Sequence, residues 1–337
     1  MSFDLAFLLP LAWAAIIGLA VAMYVLMDGY DLGIGLLFPR ARGESERDTM
    51  MASIKPYWDG NETWLILGGG GLLVAFPRAY SIIMPALYLP VIAMLLGLIF
   101  RGVAIEFRGL AKDKRGWNWG FTLGSGVAGF AQGVILGGLI QGIKTDGTHY
   151  TGGTFDWLTP FALACGVGTL IGYALLGATW VVMKTSGHTA KDARRHAAYA
   201  LIGVIVFMAI VSLWTPLAFP RIAERWFSLP NFFYFSPVPV LTAAAALACL
   251  WGLIREKEIL PFAMAMALFM LGYLGLVISV FPHLVPPTLT IWDAAASTSS
   301  QTFMLVGTAI LLPIILAYTA FVYWLFRGKV REGESYH

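Results

Sequence analysis

The chain has 337 residues, 58% of them hydrophobic and only 12% charged, with a mean hydropathy of +0.75. Soluble domains carry roughly 25% charged residues, so this composition excludes an ordinary soluble protein and indicates a polytopic membrane protein. The net charge is only +3, and the basic residues read as membrane anchors, not as a nucleic-acid surface.

The N-terminal stretch "MSFDLAFLLPLAWAAIIGLA" lacks a basic leader region, carries Asp4 and is too long for a signal peptide. It reads as a first transmembrane helix. Apolar runs long enough to span predict nine helices, at 6–37, 59–76, 82–107, 118–142, 157–183, 199–219, 238–254, 260–280 and 301–326. The first ends in the Gly-rich "DGYDLGIG" (28–35), where an irregular or tilted segment is expected. The second opens on "YWDGNETWLI" (57–66) and continues into Gly68, Gly69, Gly70 and Gly71, read as a close helix-packing surface. Cys165 and Cys249 lie in apolar runs and suggest neither a disulfide framework nor a metal site. "FPHLVPPTLTIWDAAAS" (281–297) reads as a stiff loop in which Asp293 caps the last helix. The fold class expected is all-α, with residues 1–337 forming a single integral membrane domain.

The basic residues give the orientation. One set of alternate loops holds Arg40, Arg42, Arg47, Lys55, Arg108, Lys112, Lys114, Arg115, Lys184, Lys191, Arg194, Arg195, Arg255, Lys257, Arg327, Lys329 and Arg331. The other holds only Arg78, Lys144, Arg221 and Arg225. The positive-inside rule then places the N-terminus outside and the C-terminus in the cytoplasm, which requires an odd number of spans.

Six charges remain inside the predicted spans: Asp28 and Asp31, Asp59 and Glu62, and Arg101 with Glu106. All fall toward the cytoplasmic half. Glu62 lies about 10 Å beyond Lys55, and Arg101 about 10 Å above Arg108. Each such charge costs about 2.5–3.5 kcal/mol at mid-helix, so packing alone does not call for six. Asp28 with Asp31, and Asp59 with Glu62, are spaced i, i+3 and share a face. The functional reading is a hydrated proton path of Asp59, Glu62, Asp28, Asp31 and Glu106, with Arg101 balancing charge. Carboxylates suit that task because burial disfavours their charged form and lets them load and release protons. The alternative is a structural arginine–carboxylate network, with Asp59 serving the dipole of its helix.

The histidines His149, His188, His196, His283 and His337 all fall in predicted loops, at a helix end or in the tail. A membrane haem usually takes its imidazoles from inside the bundle, so no haem ligand is expected here, and no metal site. Trp117, Trp119, Tyr323 and Trp324 sit near helix ends and read as an interfacial belt.

"DGYDLGIG" (28–35), "WDGNETWLILGGGGLLVAFPRAY" (58–80), "FRGVAIEFR" (100–108) and "TIWDAAASTSSQTFMLVGTAILLPIILAYTAFVYW" (290–324) together resemble subunit II of the cytochrome bd-type quinol oxidases. The short loops point to the cyanide-insensitive branch. The resemblance implies two four-helix units plus one extra helix in a bacterial cytoplasmic membrane. It implies a heterodimer with a haem-bearing subunit I, which holds a haem b and a second haem of type b or d, together with the quinol site. It leaves room for a structural ubiquinone and a small single-helix subunit. The implied reaction is ubiquinol oxidation coupled to reduction of O2 to water, with this chain supplying cytoplasmic protons. Two other classes compete: a proton-coupled secondary transporter, which favours broken helices and a midplane site, and a purely structural scaffold.

Overall fold

The computed structural model describes residues 4–330, so Arg331 and His337 lie outside the described residues. In chain order the helices are α1 (Leu5–Leu37), α2 (Glu44–Ala52), α3 (Trp58–Ala75), α4 (Pro77–Ala86), α5 (Tyr88–Arg108), α6 (Arg115–Gln141) and α7 (Pro160–Lys184). They continue with α8 (Gly187–Ala218), α9 (Pro220–Phe227), α10 (Asn231–Phe235), α11 (Pro237–Ile254), α12 (Leu260–Val280) and α13 (Thr298–Leu325). Among the described residues, eight helical stretches are long and apolar enough to cross a membrane, and α3 with α4 makes a ninth when the bent pair is taken together.

Several boundaries differ from those expected. The run 82–107 is not one helix. It divides into the end of α4 and α5, and α4 leaves α3 at a 120° bend. Pro77 forces that bend: it has no N–H to extend α3 and pushes Phe76 out of the helical region, to φ −137° and ψ 60°. Because α8 begins at Gly187, His188 and His196 sit on its first turns and not in a loop. The expected all-α architecture also acquires a two-stranded antiparallel hairpin, β1 (His283–Val285) with β2 (Leu289–Thr290). In that loop Asp293 does not cap α13. Its Oδ2 accepts from Thr290 Oγ1 at 2.5 Å, and Ser297 takes the cap by accepting from Ser300 N.

The end of α1 stays helical through Leu37, contrary to the irregular segment expected. Its glycines serve close approach instead. A Cβ on Gly33 would lie 1.8 Å from the backbone oxygen of Tyr173, so α1 and α7 meet backbone to backbone. The α5–α6 crossing is as tight: a Cβ on Gly97 would be 2.7 Å from Gly124 O. These contacts draw α1, α5, α6 and α7 around one core that includes Tyr30, Phe121, Tyr173 and Trp180.

The connections fall into two groups. At one end Arg108 bridges to Glu44 and Asp48, Arg42 to Asp192, and Lys329 to Glu258, while Val330 N donates to Lys184 O. At the other end Arg78 donates to Asp293 O and Gly147 O, Ile143 N to Pro286 O, and Trp226 Nε1 to Ser279 Oγ. Trp292 Nε1 donates to Phe7 O and ties the start of α1 to this second end. The helix α3 runs from the first end, near Tyr57, to the second, where Ala75 O accepts from Ala296 N.

Candidate functional site

Three helices build the site. On α1, Asp28 and Asp31 share a face one turn apart, and both are fully buried. From α5, the fully buried Arg101 reaches across, one turn beyond the Gly97 crossing. Its Nη1 is 2.5 Å from Asp28 Oδ1 and its Nη2 is 2.7 Å from Glu62 Oε2, on α3. The Glu62 side chain keeps 29% exposure at the surface of this chain, so this guanidinium joins a partly exposed carboxylate to a buried one.

Asp31 is held separately. Asn61 Nδ2 donates to Asp31 Oδ2 and to Tyr30 OH, each at 2.8 Å, and Tyr323 OH donates to Asn61 Oδ1 at 2.8 Å. The Tyr30 and Tyr323 hydroxyls are 2.5 Å apart. Deeper along α1, Gln132 Nε2 donates to Tyr24 OH at 2.6 Å and its Oε1 accepts from Tyr173 OH at 2.5 Å. Tyr24 is one turn from Asp28 on the same face. Asp28 Oδ2, Asp31 Oδ1 and Arg101 Nε are buried without a hydrogen-bond partner among the described residues. Buried polar atoms are usually paired, so these three are exceptions within the cluster: two free carboxylate acceptors and one guanidinium donor.

Two expected members stand outside the buried cluster, Asp59 one turn before Glu62 at the mouth of α3 and Glu106 away from it. Asp59 and Glu106 are exposed, on the outer faces of α3 and α5. Five residues turn a helix by about 140° beyond one full turn, so Glu106 points away from the direction of Arg101. In the glycine run, Gly68 and Gly71 face Val21 and Ile17 of α1, at 3.5 and 3.0 Å for an added Cβ, whereas Gly69 and Gly70 meet nothing within 4 Å. Sequence reasoning missed Asn61, Tyr30, Tyr24, Gln132 and Tyr173, and it placed Tyr323 in an interfacial belt. A signal existed for Asn61 and Gln132, because an amide inside an apolar helix needs a partner.

A second arginine stands two turns along α5. Arg108 Nη2 is 2.7 Å from Glu44 and Nη1 is 2.6 Å from Asp48, with Lys114 Nζ 3.0 Å from Asp48. Partial burial works to raise both carboxyls. Hydrogen bonds from Arg47 and Asn118 to Glu44, and from Arg108 and Lys114 to Asp48, nevertheless leave both below the usual carboxylate range. Nearby, Lys184 Nζ donates to Tyr57 OH at 3.0 Å, to Gly328 O at 3.0 Å and to Phe326 O, pinning the segment after α13.

The sequence profile of the family described as cytochrome bd terminal oxidase subunit II matches residues 9–326. The chain belongs to that family. It is 30% identical to cytochrome bd-I ubiquinol oxidase subunit 2 of Escherichia coli K12, covering 96% of this chain and 95% of that protein. It is 26% identical to cytochrome bd ubiquinol oxidase subunit 2 of Bacillus subtilis 168, over 96% and 97%. The fold is similar to a chain in the structure of the bd oxidase from Geobacillus thermodenitrificans, with a TM-score of 0.79, 14% identity and coverage of 94% and 98%. As a bd oxidase subunit II, the chain is an integral membrane component of a quinol oxidase complex, and the transporter alternative is not favoured.

The bd oxidase family implies haems in the complex. Among the described residues of this subunit, His149 and His188 are exposed and His196 and His283 are half-buried at helix or loop ends. No imidazole among them lies in the bundle interior to serve as the axial ligand of a membrane haem. The described residues also bring no three His, Cys, Asp or Glu side chains into a metal-binding group.

Proposed function

We propose that this chain is the accessory subunit II of a quinol:oxygen oxidoreductase, supporting a haem-bearing subunit I and supplying it with cytoplasmic protons. In this reading it crosses a bacterial inner membrane nine times, with α3 and α4 as one bent crossing. The end carrying Arg108 and Lys184 is cytoplasmic, and the start of α1 is outside. The two four-helix units are α1, α3, α5, α6 and α7, α8, α11, α12, with α13 as the extra helix. The partner holds a haem b and a second haem of type b or d, and it oxidises ubiquinol while reducing O2. A structural ubiquinone and a small single-helix subunit complete the complex.

The observation that carries the proton role is the run from exposed Asp59, through Glu62 and Arg101, to buried Asp28. Asp59 gathers protons at the mouth of α3. Glu62 is the first group able to pass one inward, because it is partly exposed at the chain surface and also touches the guanidinium. Arg101 holds Glu62 and Asp28 in line without giving up its own proton. Asp31, with its Asn61–Tyr30–Tyr323 support, is a second acceptor one turn away. The set contains more acid than base, so a proton can be exchanged while Arg101 keeps a charged partner.

The test is oxygen consumption per haem in assembled complex, with electrical readout of proton uptake in liposomes. Asp59→Asn and Glu62→Gln are expected to slow both while haem content stays near normal. Unchanged turnover and uptake in both variants overturns the proton reading and leaves a packing network. The bidentate use of Arg101 favours that second reading, which predicts poor assembly with normal turnover per assembled complex.

A further inference from the structure

At the end opposite Arg108, a cavity of about 340 Å³ with mixed polar and apolar walls opens between the start of α7, the end of α6 and the 142–159 loop. Gln141, Lys144, Tyr150, Asp156 and Thr159 line it. Trp157 also lines it, and the same residue borders a groove of about 710 Å³ between α5 and α6. That groove is apolar, formed by Pro90, Ala93, Val127, Phe130 and Val134 among others. From Leu123 to Val134 it runs about 16 Å along α6, a length close to half of the roughly 30 Å hydrocarbon core. A partly polar cup and an apolar groove of acyl-chain length meeting at a tryptophan match an amphiphile with its head at the interface and one chain against the helices.

The charges in the cup specify the head. Lys144 Nζ and Asp156 Oδ2 are 3.1 Å apart, and both side chains are substantially exposed. The hydrogen bond from Lys144 holds the Asp156 carboxyl below the usual range. Such an exposed pair is worth little by itself and opens at small cost. Gln141 Oε1 accepts from Thr159 Oγ1 at 2.8 Å, and Tyr150 OH donates to Gly153 O at 2.6 Å, which stiffens the rest of the cup. A cation beside an anion complements a head that carries a phosphate and an N–H-bearing ammonium. A quaternary ammonium has no N–H to donate to Asp156, and a glycerol head has no positive charge.

We propose that this cup and groove form a binding site for one zwitterionic phospholipid with a primary amine head, its phosphate on Lys144, its ammonium on Asp156 and one acyl chain in the α5–α6 groove. The site lies away from the Arg101 cluster and does not depend on the proton reading. The experiment is native mass spectrometry of the whole oxidase complex with added phosphatidylethanolamine, phosphatidylglycerol or phosphatidylcholine. The complex should retain one phosphatidylethanolamine in preference to the other two. Lys144→Gln should lower retention of phosphatidylethanolamine and phosphatidylglycerol by about five-fold, as expected for loss of one charge-assisted contact. Asp156→Asn should abolish the preference for phosphatidylethanolamine over phosphatidylglycerol. Ala93→Trp should reduce retention of all three by filling the groove; if it disturbs assembly, the two surface variants decide. Oxygen consumption should be unchanged in the Lys144 and Asp156 variants. Equal phosphatidylethanolamine retention in those two variants and the parent overturns the proposal. So does loss of a quinone, with phospholipid retention unaltered.

Discussion

Arg101 and Arg108 sit two turns apart on α5, and each grips two carboxylates on other helices at 2.5–2.7 Å. Their surroundings differ. Arg101 and Asp28 are completely buried, whereas Glu44 and Asp48 keep 44% and 46% exposure. The inner set is costly to desolvate and strongly coupled, because little solvent screens it. The outer set is a screened latch across the α2–α5 junction, where each exposed partner adds about 1 kcal/mol or less. The same residue types in the same geometry therefore do different work. The inner set is the proposed proton path, and the outer set fastens a loop.

The largest expected effect separates the two. Arg101→Ala leaves the buried Asp28 carboxylate without its cation and should destabilise the complex by about 3–5 kcal/mol. Arg108→Ala, and likewise Asp31→Ala, should cost markedly less. Thermal melts of the assembled oxidase give the comparison, and equal losses for Arg101 and Arg108 would break it. Function comes next. Glu62→Gln keeps a hydrogen-bonding oxygen for Arg101 but carries no exchangeable acid, so oxygen consumption per haem should fall by at least about ten-fold. Asp59→Asn, farther from the guanidinium, should slow it less, and Arg108→Ala should leave turnover per assembled complex near the parent value.

Salt sharpens the contrast further. The screening length is about 8 Å at 0.15 M, so raising ionic strength should shrink the stability difference between parent and Arg108→Ala while leaving the Arg101→Ala difference in place. A salt-independent Arg108 effect would place the latch in a drier setting than its exposure indicates. The smallest effect is with pH. The Glu44 and Asp48 carboxyls are held below their ordinary values in the folded chain. Their contribution is therefore complete above the unfolded carboxylate range, about pH 4, and is lost as pH falls through the lower folded values. Melts of parent and Arg108→Ala should converge on acidification below about pH 4. A constant gap between them would show that Arg108 acts through packing on Phe38, which its guanidinium overlies at 5.3 Å, and not through charge.

The sequence alone determined the membrane class, most of the spanning segments and the short list of intramembrane charges, because each follows from local apolarity over about 20 residues. It also brought Asp28, Asp31, Glu62 and Arg101 under suspicion, because an uncompensated charge in such a segment is too costly to be incidental. It did not decide which of those charges meet. Rotation about α5 turned Glu106 outward while Arg101 turned in, Asp59 stayed exposed at the first turn of α3 while Glu62 one turn on reached Arg101, and the close Gly33 and Gly97 crossings set how near the helices come. Asn61, Gln132 and Tyr323 entered the network only because helices distant in the chain pack side by side. A hydrogen bond between Tyr323 and Asn61 joins residues hundreds of positions apart. Hydropathy is a sum over neighbours in sequence, whereas the pairing of buried polar groups is fixed by neighbours in space, and only the tertiary structure holds those.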